Sequence, residues 1–70
     1  MLIKVGADIN KQDRWGNTPV HVAAKSGNLD VVKELVSAGV NLEIKNNKGD
    51  TPLHKAVKAH YKNVVEFLLQ

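Results

Sequence analysis

The sequence repeats itself with a period of 33 residues, and this repeat constrains the fold more than any other feature. The 70-residue chain contains 37 residue pairs at that separation, and eleven of them are identical. Average amino-acid usage would give about 2 identities. A fixed period of this size is typical of stacked supersecondary units, each too small to bury its own apolar face. We therefore expect a chain built from stacked units.

The first half of one unit has the pattern of a turn followed by a short helix. Residues 13–17 carry turn-forming side chains, and Gly16 is free to adopt a positive φ. Thr18 is suited to an N-cap and Pro19 to the first helical position, where the missing N–H has no cost. The apolar residues that follow have helical spacing and are Val20, Ala23 and Ala24.

The sequence of the second half of the unit predicts another short helix and a loop. Gly27 ends the first helix, and Asn28 is placed to cap the second. Gly39 stands where a left-handed residue is expected after a helix C-terminus. The residues that the second helix turns inward are Val31, Val32, Leu35 and Val36. One unit is thus a turn, a short helix, a tight link, a second short helix and a loop.

Three segments of the sequence resemble the ankyrin repeat. Residues 16–24, Gly-Asn-Thr-Pro-Val-His-Val-Ala-Ala, are similar to the family pattern G-x-T-P-L-H-x-A-A. Residues 49–56 match the same pattern again, and residues 6–10, Gly-Ala-Asp-Ile-Asn, match the tail that closes a repeat. The resemblance implies an all-α solenoid of stacked helix-turn-helix units joined by hairpin-like loops.

The same resemblance divides the chain into three parts. Residues 1–12 correspond to the tail of one repeat, residues 13–45 to a full repeat and residues 46–70 to most of another. Leu2 and Ile3 align with Leu35 and Val36, which predicts that they lie near the end of a second helix, and Gly6 begins the tail. Because both ends then expose apolar faces, self-association through uncapped ends is one expectation.

Several positions depart from the family pattern. His60 replaces the glycine of the helix–helix link, so we expect a left-handed histidine at a cost of about 1 kcal/mol. Val57 replaces the second small alanine, which predicts slightly different helix packing in that repeat. Asn41 and Glu43 replace the Asp and Asn of the tail, which predicts a change in the hydrogen bonds of that loop.

The resemblance implies a function that depends on surface rather than chemistry. Ankyrin repeats bind other proteins through the hairpin tips and the exposed side of the first helix. Gln12 and Ala59 belong to these regions of the present sequence. The residues expected to contact a protein partner are Arg14, Trp15, Asn17, Lys25, Ser26, Asn47, Lys48, Asp50 and Lys58.

Two features of this surface suggest what the partner presents. Trp15 lies at a hairpin tip, either as a binding anchor or flat against the next hairpin beside Lys48. Lys25 and Lys58 occupy equivalent positions, so stacking is expected to align them and favour an acidic partner segment between them. The alternative is that both lysines are simply solvated.

Other classes of function lack support in the sequence. The chain has no cysteine, which excludes disulfides and thiolate zinc sites. His21 and His54 recur in each unit, as structural residues do, and His60 forms no metal-ligand spacing with them. The formal net charge of +3 is spread without basic runs or an aromatic-rich strand, so nucleic-acid binding is not expected. We expect no enzyme activity, no cofactor and no metal.

No apolar run approaches the roughly 20 residues of a membrane span, and the N-terminus lacks a signal-peptide pattern. The sequence therefore predicts an intracellular protein-interaction module that does not bind a membrane. Two alternatives stay open. The segment could be a structural spacer within a longer ankyrin array, or a non-catalytic part of a larger protein that contains an enzyme.

Overall fold

The computed structural model describes residues 9–69, which form four short helices. They are α1 (Pro19–Ser26), α2 (Leu29–Ser37), α3 (Pro52–Lys58) and α4 (Lys62–Leu68). The described part of the chain contains no strand, which confirms the predicted all-α class. The expectations for Leu2, Ile3 and Gly6 lie outside the described residues. Below, residues 13–45 with α1 and α2 are called the first unit, and residues 46–69 with α3 and α4 the second unit.

The first helix of each unit begins with the predicted threonine cap. The Thr18 hydroxyl oxygen accepts from the His21 backbone N–H, while the His21 Nδ1 accepts from the Thr18 backbone N–H at 3.1 Å. Histidine therefore takes the role that Glu or Gln usually has in a capping box. Thr51 and His54 form the same arrangement at α3, and each threonine is followed by proline at the start of the helix.

The link between the two helices of each unit passes through the left-handed region. Gly27 has φ of +71°, and His60 has φ of +63° at the equivalent place, as the sequence predicts. Glycine is required at the first of these links for a further reason. A Cβ on Gly27 would overlap the ring of Tyr61 from the second unit. His60, at the second link, is exposed.

The core is a single apolar layer shared by the two units. α1 packs against α2 and α3, and α3 packs against α4. Val20, Ala23 and Ala24 are buried, as their helical spacing predicts. The remaining members of the buried core are Val32, Leu35, Val40, Ala56 and Val64. Val31 and Val36 pack against it from partly buried positions.

The loop after α2 is closed by hydrogen bonds to asparagine side chains. The Asn41 backbone N–H donates to Asn10 Oδ1 at 2.8 Å. The Glu43 backbone N–H donates to Asn41 Oδ1 at 2.9 Å. Asn41 therefore anchors this loop, although the family pattern places aspartate there. Within residues 9–69, no helix is long and apolar enough to cross a membrane.

Candidate functional site

The two hairpin tips lie side by side and are joined by hydrogen bonds of backbone and side-chain groups. The Asn47 backbone N–H donates to the Trp15 carbonyl oxygen at 2.9 Å, and Asn47 Nδ2 donates to the Arg14 carbonyl oxygen at 3.1 Å. Gln12 Nε2 donates to the Lys45 carbonyl oxygen at 3.1 Å. At Gly16, which has φ of +81°, an added Cβ would lie 2.6 Å from Asn47 Oδ1 and 2.7 Å from the Asn47 backbone nitrogen, so a side chain there would require the tips to shift.

Each tip is also held rigid by one side chain at its first position. Asp13 Oδ1 accepts from the backbone N–H groups of Trp15 and Asn17, both at 2.9 Å. Asn46 Oδ1 accepts in the same way from Lys48 and Asp50, also at 2.9 Å. Asp13 and Asn46 are 33 residues apart, so the repeat reproduces the turn geometry with either side chain. The carboxylate of Asp13 is thereby engaged by its own turn.

An open cavity of about 630 Å³ lies between the tips and the first helices, and we call it the tip groove. Six of the nine sequence-predicted contact residues line it: Trp15, Asn17, Lys25, Ser26, Asn47 and Lys48. The other three, Arg14, Asp50 and Lys58, do not. The structure therefore brings most of the predicted surface together in one concavity.

Trp15 is the largest apolar side chain that lines the tip groove. It is 61% exposed, so the second hairpin does not bury it, although the two are joined through the Trp15 carbonyl. The guanidinium carbon of Arg14 lies 5.4 Å from the centre of the indole ring. A cation–π contact at an exposed site contributes about 0.5–1 kcal/mol. Arg14 thus restrains the indole without contributing to the groove lining.

Val22 and Lys55 also line the tip groove, and the sequence prediction missed both. They are equivalent positions, one on α1 and one on α3, at the variable residue between the histidine and the alanine of the motif. Val22 is 52% exposed, although it is apolar. The available signal was that Val22 lies outside the apolar stripe of α1, which predicts exposure of an apolar side chain.

Lys58 and Asp50 form an ion pair. Lys58 Nζ donates to both carboxylate oxygens of Asp50, at 2.9 and 3.0 Å. The hydrogen bond from Lys58 lowers the pKa of Asp50 below its ordinary value, against the opposing effect of partial burial, and the charge of Lys55 adds to the lowering. Lys25 has Asn17 at the position equivalent to Asp50, so the two predicted lysines differ in their electrostatic surroundings.

His21 reaches the tip groove, but both of its ring nitrogens are used by the fold. Nε2 donates to the Asp50 carbonyl oxygen at 2.8 Å, because a carbonyl can only accept. Nδ1 then accepts from Thr18. The side chain is fully buried, which agrees with a structural role. Among residues 9–69, no cluster of three or more His, Cys, Asp or Glu side chains is placed to hold a metal ion.

Comparison with known proteins decides the family. A model of ankyrin repeats in three copies matches residues 1–70. The chain belongs to the ankyrin repeat family. Ankyrin repeats are generally protein-interaction modules, and the four helices described above agree with an all-helical repeat fold.

Several ankyrin-repeat relatives share part of this sequence. Mouse ankyrin repeat domain-containing protein 37 is 50% identical over 36 residues, which are 51% of this chain and 23% of the relative. Human protein phosphatase 1 regulatory subunit 27 is 43% identical over 37 residues, which are 53% of this chain and 24% of the relative. Human NF-kappa-B inhibitor zeta is 42% identical over 34 residues, which are 49% of this chain and 5% of the relative.

A solved structure is similar over most of the chain. It contains a predatory endopeptidase from Bdellovibrio bacteriovorus in complex with an immunity protein. The TM-score is 0.88 and the sequence identity 50%, over 91% of this chain and 33% of the solved chain. This chain spans less than a quarter of ankyrin repeat domain-containing protein 37 and of the phosphatase regulatory subunit. It spans a third of the solved chain.

Proposed function

We propose that this chain is a protein-interaction module that receives a segment of its partner in the tip groove. The proposal rests on one observation: the groove exposes apolar side chains, whereas the polar atoms buried in the surrounding scaffold are all satisfied. The buried polar side-chain atoms of residues 9–69 all have hydrogen-bond partners, whereas Trp15 and Val22 expose apolar surface in the groove. Exposed aromatic and aliphatic groups in a concavity are typical binding anchors.

The relatives support the same class of function. One is named as a regulatory subunit of protein phosphatase 1 and another as an inhibitor of NF-kappa-B, so each is named for an effect on another protein. We extend only that general role to this chain, as a non-catalytic module, and we place it inside the cell. We assign it no catalytic step because His21, the histidine that reaches the groove, has both ring nitrogens committed to Thr18 and Asp50.

An acidic partner segment is part of this proposal. The expectation that an acid lies between Lys25 and Lys58 uses the charges of both lysines, and Asp50 already holds Lys58. Lys25 lies on the groove wall beside Ser26 and supplies a cation there. Arg14, Asp50 and Lys58 remain proposed contacts outside the groove lining, for a partner that extends beyond it.

Self-association is a second candidate, because the second unit exposes apolar side chains away from the tip groove. Val57 is 53% exposed and Leu69 is 66% exposed, and neither lines the groove. A chain that associates through these residues would show a concentration-dependent melting temperature, since binding stabilises the folded state by mass action. A melting temperature independent of concentration, with a monomeric mass in solution, would contradict this candidate.

Site-specific photo-crosslinking tests the main proposal. A photoreactive benzoylphenylalanine replaces Val22 in the groove in one variant and Glu34 on exposed α2 in a control variant. We expect the variant at position 22 to form a covalent adduct with a partner protein that mass spectrometry identifies, and the variant at position 34 to form little or none. Equal adduct formation from both positions, or adducts from position 34 alone, would contradict a partner site in the groove.

A further inference from the structure

The two units contribute different chemistry to the tip groove at equivalent positions. Trp15 and Lys48 are 33 residues apart, and so are Val22 and Lys55. All four side chains line the groove. At both positions the first unit presents an apolar side chain, and the second unit presents a lysine. At these positions the part of the groove formed by the first unit is therefore apolar and the part formed by the second unit is cationic, and the first unit carries its own cation, Lys25, farther along α1. We call these two parts the apolar half and the cationic half.

The lysines of the cationic half are available to a ligand. In the described part of the chain, neither Lys48 nor Lys55 forms an ion pair. Lys55 is near enough to lower the pKa of Asp50, but both oxygens of that carboxylate are held by Lys58. Asp13 is the acidic residue that lines the groove, and its Oδ1 accepts two backbone hydrogen bonds in its own turn.

The distance between the two halves of the groove determines how far apart the apolar and acidic residues of a ligand must be. Packed helices lie about 8–10 Å apart. An extended peptide advances about 3.3 Å per residue. A segment that crosses from the first unit to the second therefore covers the distance between the halves in about three residues. Apolar groups at one end of such a segment would contact Trp15 and Val22 while carboxylates at the other end reach Lys48 and Lys55.

We propose that the tip groove binds an extended protein segment in which an apolar cluster and an acidic cluster are about three residues apart. The apolar cluster lies against Trp15 and Val22, and the acidic cluster pairs with Lys48 and Lys55. Lys58 lies outside the groove lining and is already paired with Asp50, so the acidic cluster does not depend on it. The inference rests on the proposed function and adds the chemistry of the partner segment and the spacing of its two clusters.

Synthetic peptides test this inference on the full chain, with fluorescence of Trp15 as the readout because it is the single tryptophan. The probes are acetyl-Leu-Leu-Gly-Ser-Glu-Glu-amide and the same residues in reverse order. One control replaces both Glu residues with Gln, and another alternates Leu and Glu. We expect one of the two probes to bind at least about 5-fold more tightly than both controls, since each exposed ion pair contributes modestly.

Lysine variants inside and outside the groove give the matched comparison. We expect Lys55→Gln to weaken the better probe by about 3-fold and to reduce the effect of salt on binding. Lys62→Gln, at the exposed start of α4 and outside the groove lining, should leave the affinity for that probe unchanged. Circular dichroism of both variants verifies that they are folded before binding is compared.

Three results would overturn the inference. The first is equal binding of the Glu and Gln peptides. The second is an equal loss of affinity from Lys55→Gln and Lys62→Gln, and the third is no change in Trp15 fluorescence with either probe at millimolar concentration. Equal binding of the Glu and Gln peptides would leave the groove as a peptide site, so the proposed function would survive that result. Failure of the proposed function is detected separately, by crosslinking from position 22.

Discussion

The first unit and the second unit have the same capped helix but very different burial. Thr18 and His21 are fully buried, whereas Thr51 is half-buried and His54 is exposed. Yet the distance from the threonine backbone nitrogen to the histidine Nδ1 is 3.1 Å in both units. The cap is therefore determined locally by the Thr-Pro-x-His sequence, and burial depends on the neighbour that covers it.

The first unit is more buried because groups of the second unit pack against it. The Asp50 carbonyl oxygen receives His21, and the Tyr61 ring packs over Gly27. The equivalent His54 and His60 have no described residue of a further unit against them. The comparison teaches that the same motif forms the same local hydrogen bonds in both units but stabilises the stack only where a second unit meets it.

The largest effect is expected at the paired histidines. His21→Ala leaves the Thr18 N–H and the Asp50 carbonyl without their partner and opens a cavity, so we expect a loss of about 4 kcal/mol in the free energy of unfolding. His54→Ala removes only an exposed cap contact and should cost less than about 1 kcal/mol. Urea denaturation followed by circular dichroism measures both. Equal losses would show that burial does not distinguish the units.

The next largest difference in stability is expected between substitutions of Gly27 and Gly49, which have similar positive φ angles. Gly27→Ala adds a strained positive φ and an overlap with the Tyr61 ring, so we expect a loss of about 3 kcal/mol. Gly49 has φ of +81° but no atom within 4 Å of an added Cβ. Gly49→Ala should therefore cost about 1 kcal/mol, the backbone strain alone. The same denaturation experiment checks this, and a cost at Gly49 as large as at Gly27 would mean that the Tyr61 contact is unimportant.

The two threonine caps show how much a buried cap contributes to stability compared with a cap that solvent can reach. Thr18→Val should cost about 1–2 kcal/mol, since it removes the cap and leaves a buried histidine nitrogen with one hydrogen bond fewer. Thr51→Val loses the same cap where solvent can replace it, and about 0.5 kcal/mol is expected. Thermal melts of the two variants beside the parent protein test the ranking. A larger loss for Thr51→Val would reverse it.

The smallest effect is expected in acid, and it concerns the second unit. The pKa of Asp50 is lowered from its ordinary value of 3.8, chiefly by the hydrogen bond from Lys58. A lowered folded-state pKa means that the ion pair stabilises the fold above that ordinary value and that this contribution is lost as the pH falls below it. Asp50→Asn keeps the carbonyl for His21, so its stability should fall less steeply than that of the parent protein below about pH 4. Denaturation curves between pH 5 and pH 2 provide the measurement, and identical slopes would contradict it.

Features that depend on local sequence could be predicted, and features that depend on stacking could be predicted only in part. The Thr18 cap, the helix ends and the left-handed His60 all follow from a few adjacent residues, and the structure confirms them. Val22 and Lys55 were missed because the motif marks them only as variable positions. The pairing of Lys58 with Asp50 was missed because it depends on how α3 faces its own hairpin.

The hydrogen bonds that join the hairpin tips have a consequence for how this surface can change. The acceptors at Arg14, Trp15 and Lys45 are carbonyl oxygens, which every amino acid possesses. Substitutions at these three positions therefore preserve the acceptors of the joint while altering the side chains displayed beside them. Two of the donors, Gln12 Nε2 and Asn47 Nδ2, are side chains, so the joint constrains those two positions instead. New specificities can therefore be selected at positions 14, 15 and 45 without redesigning the framework that holds the tips.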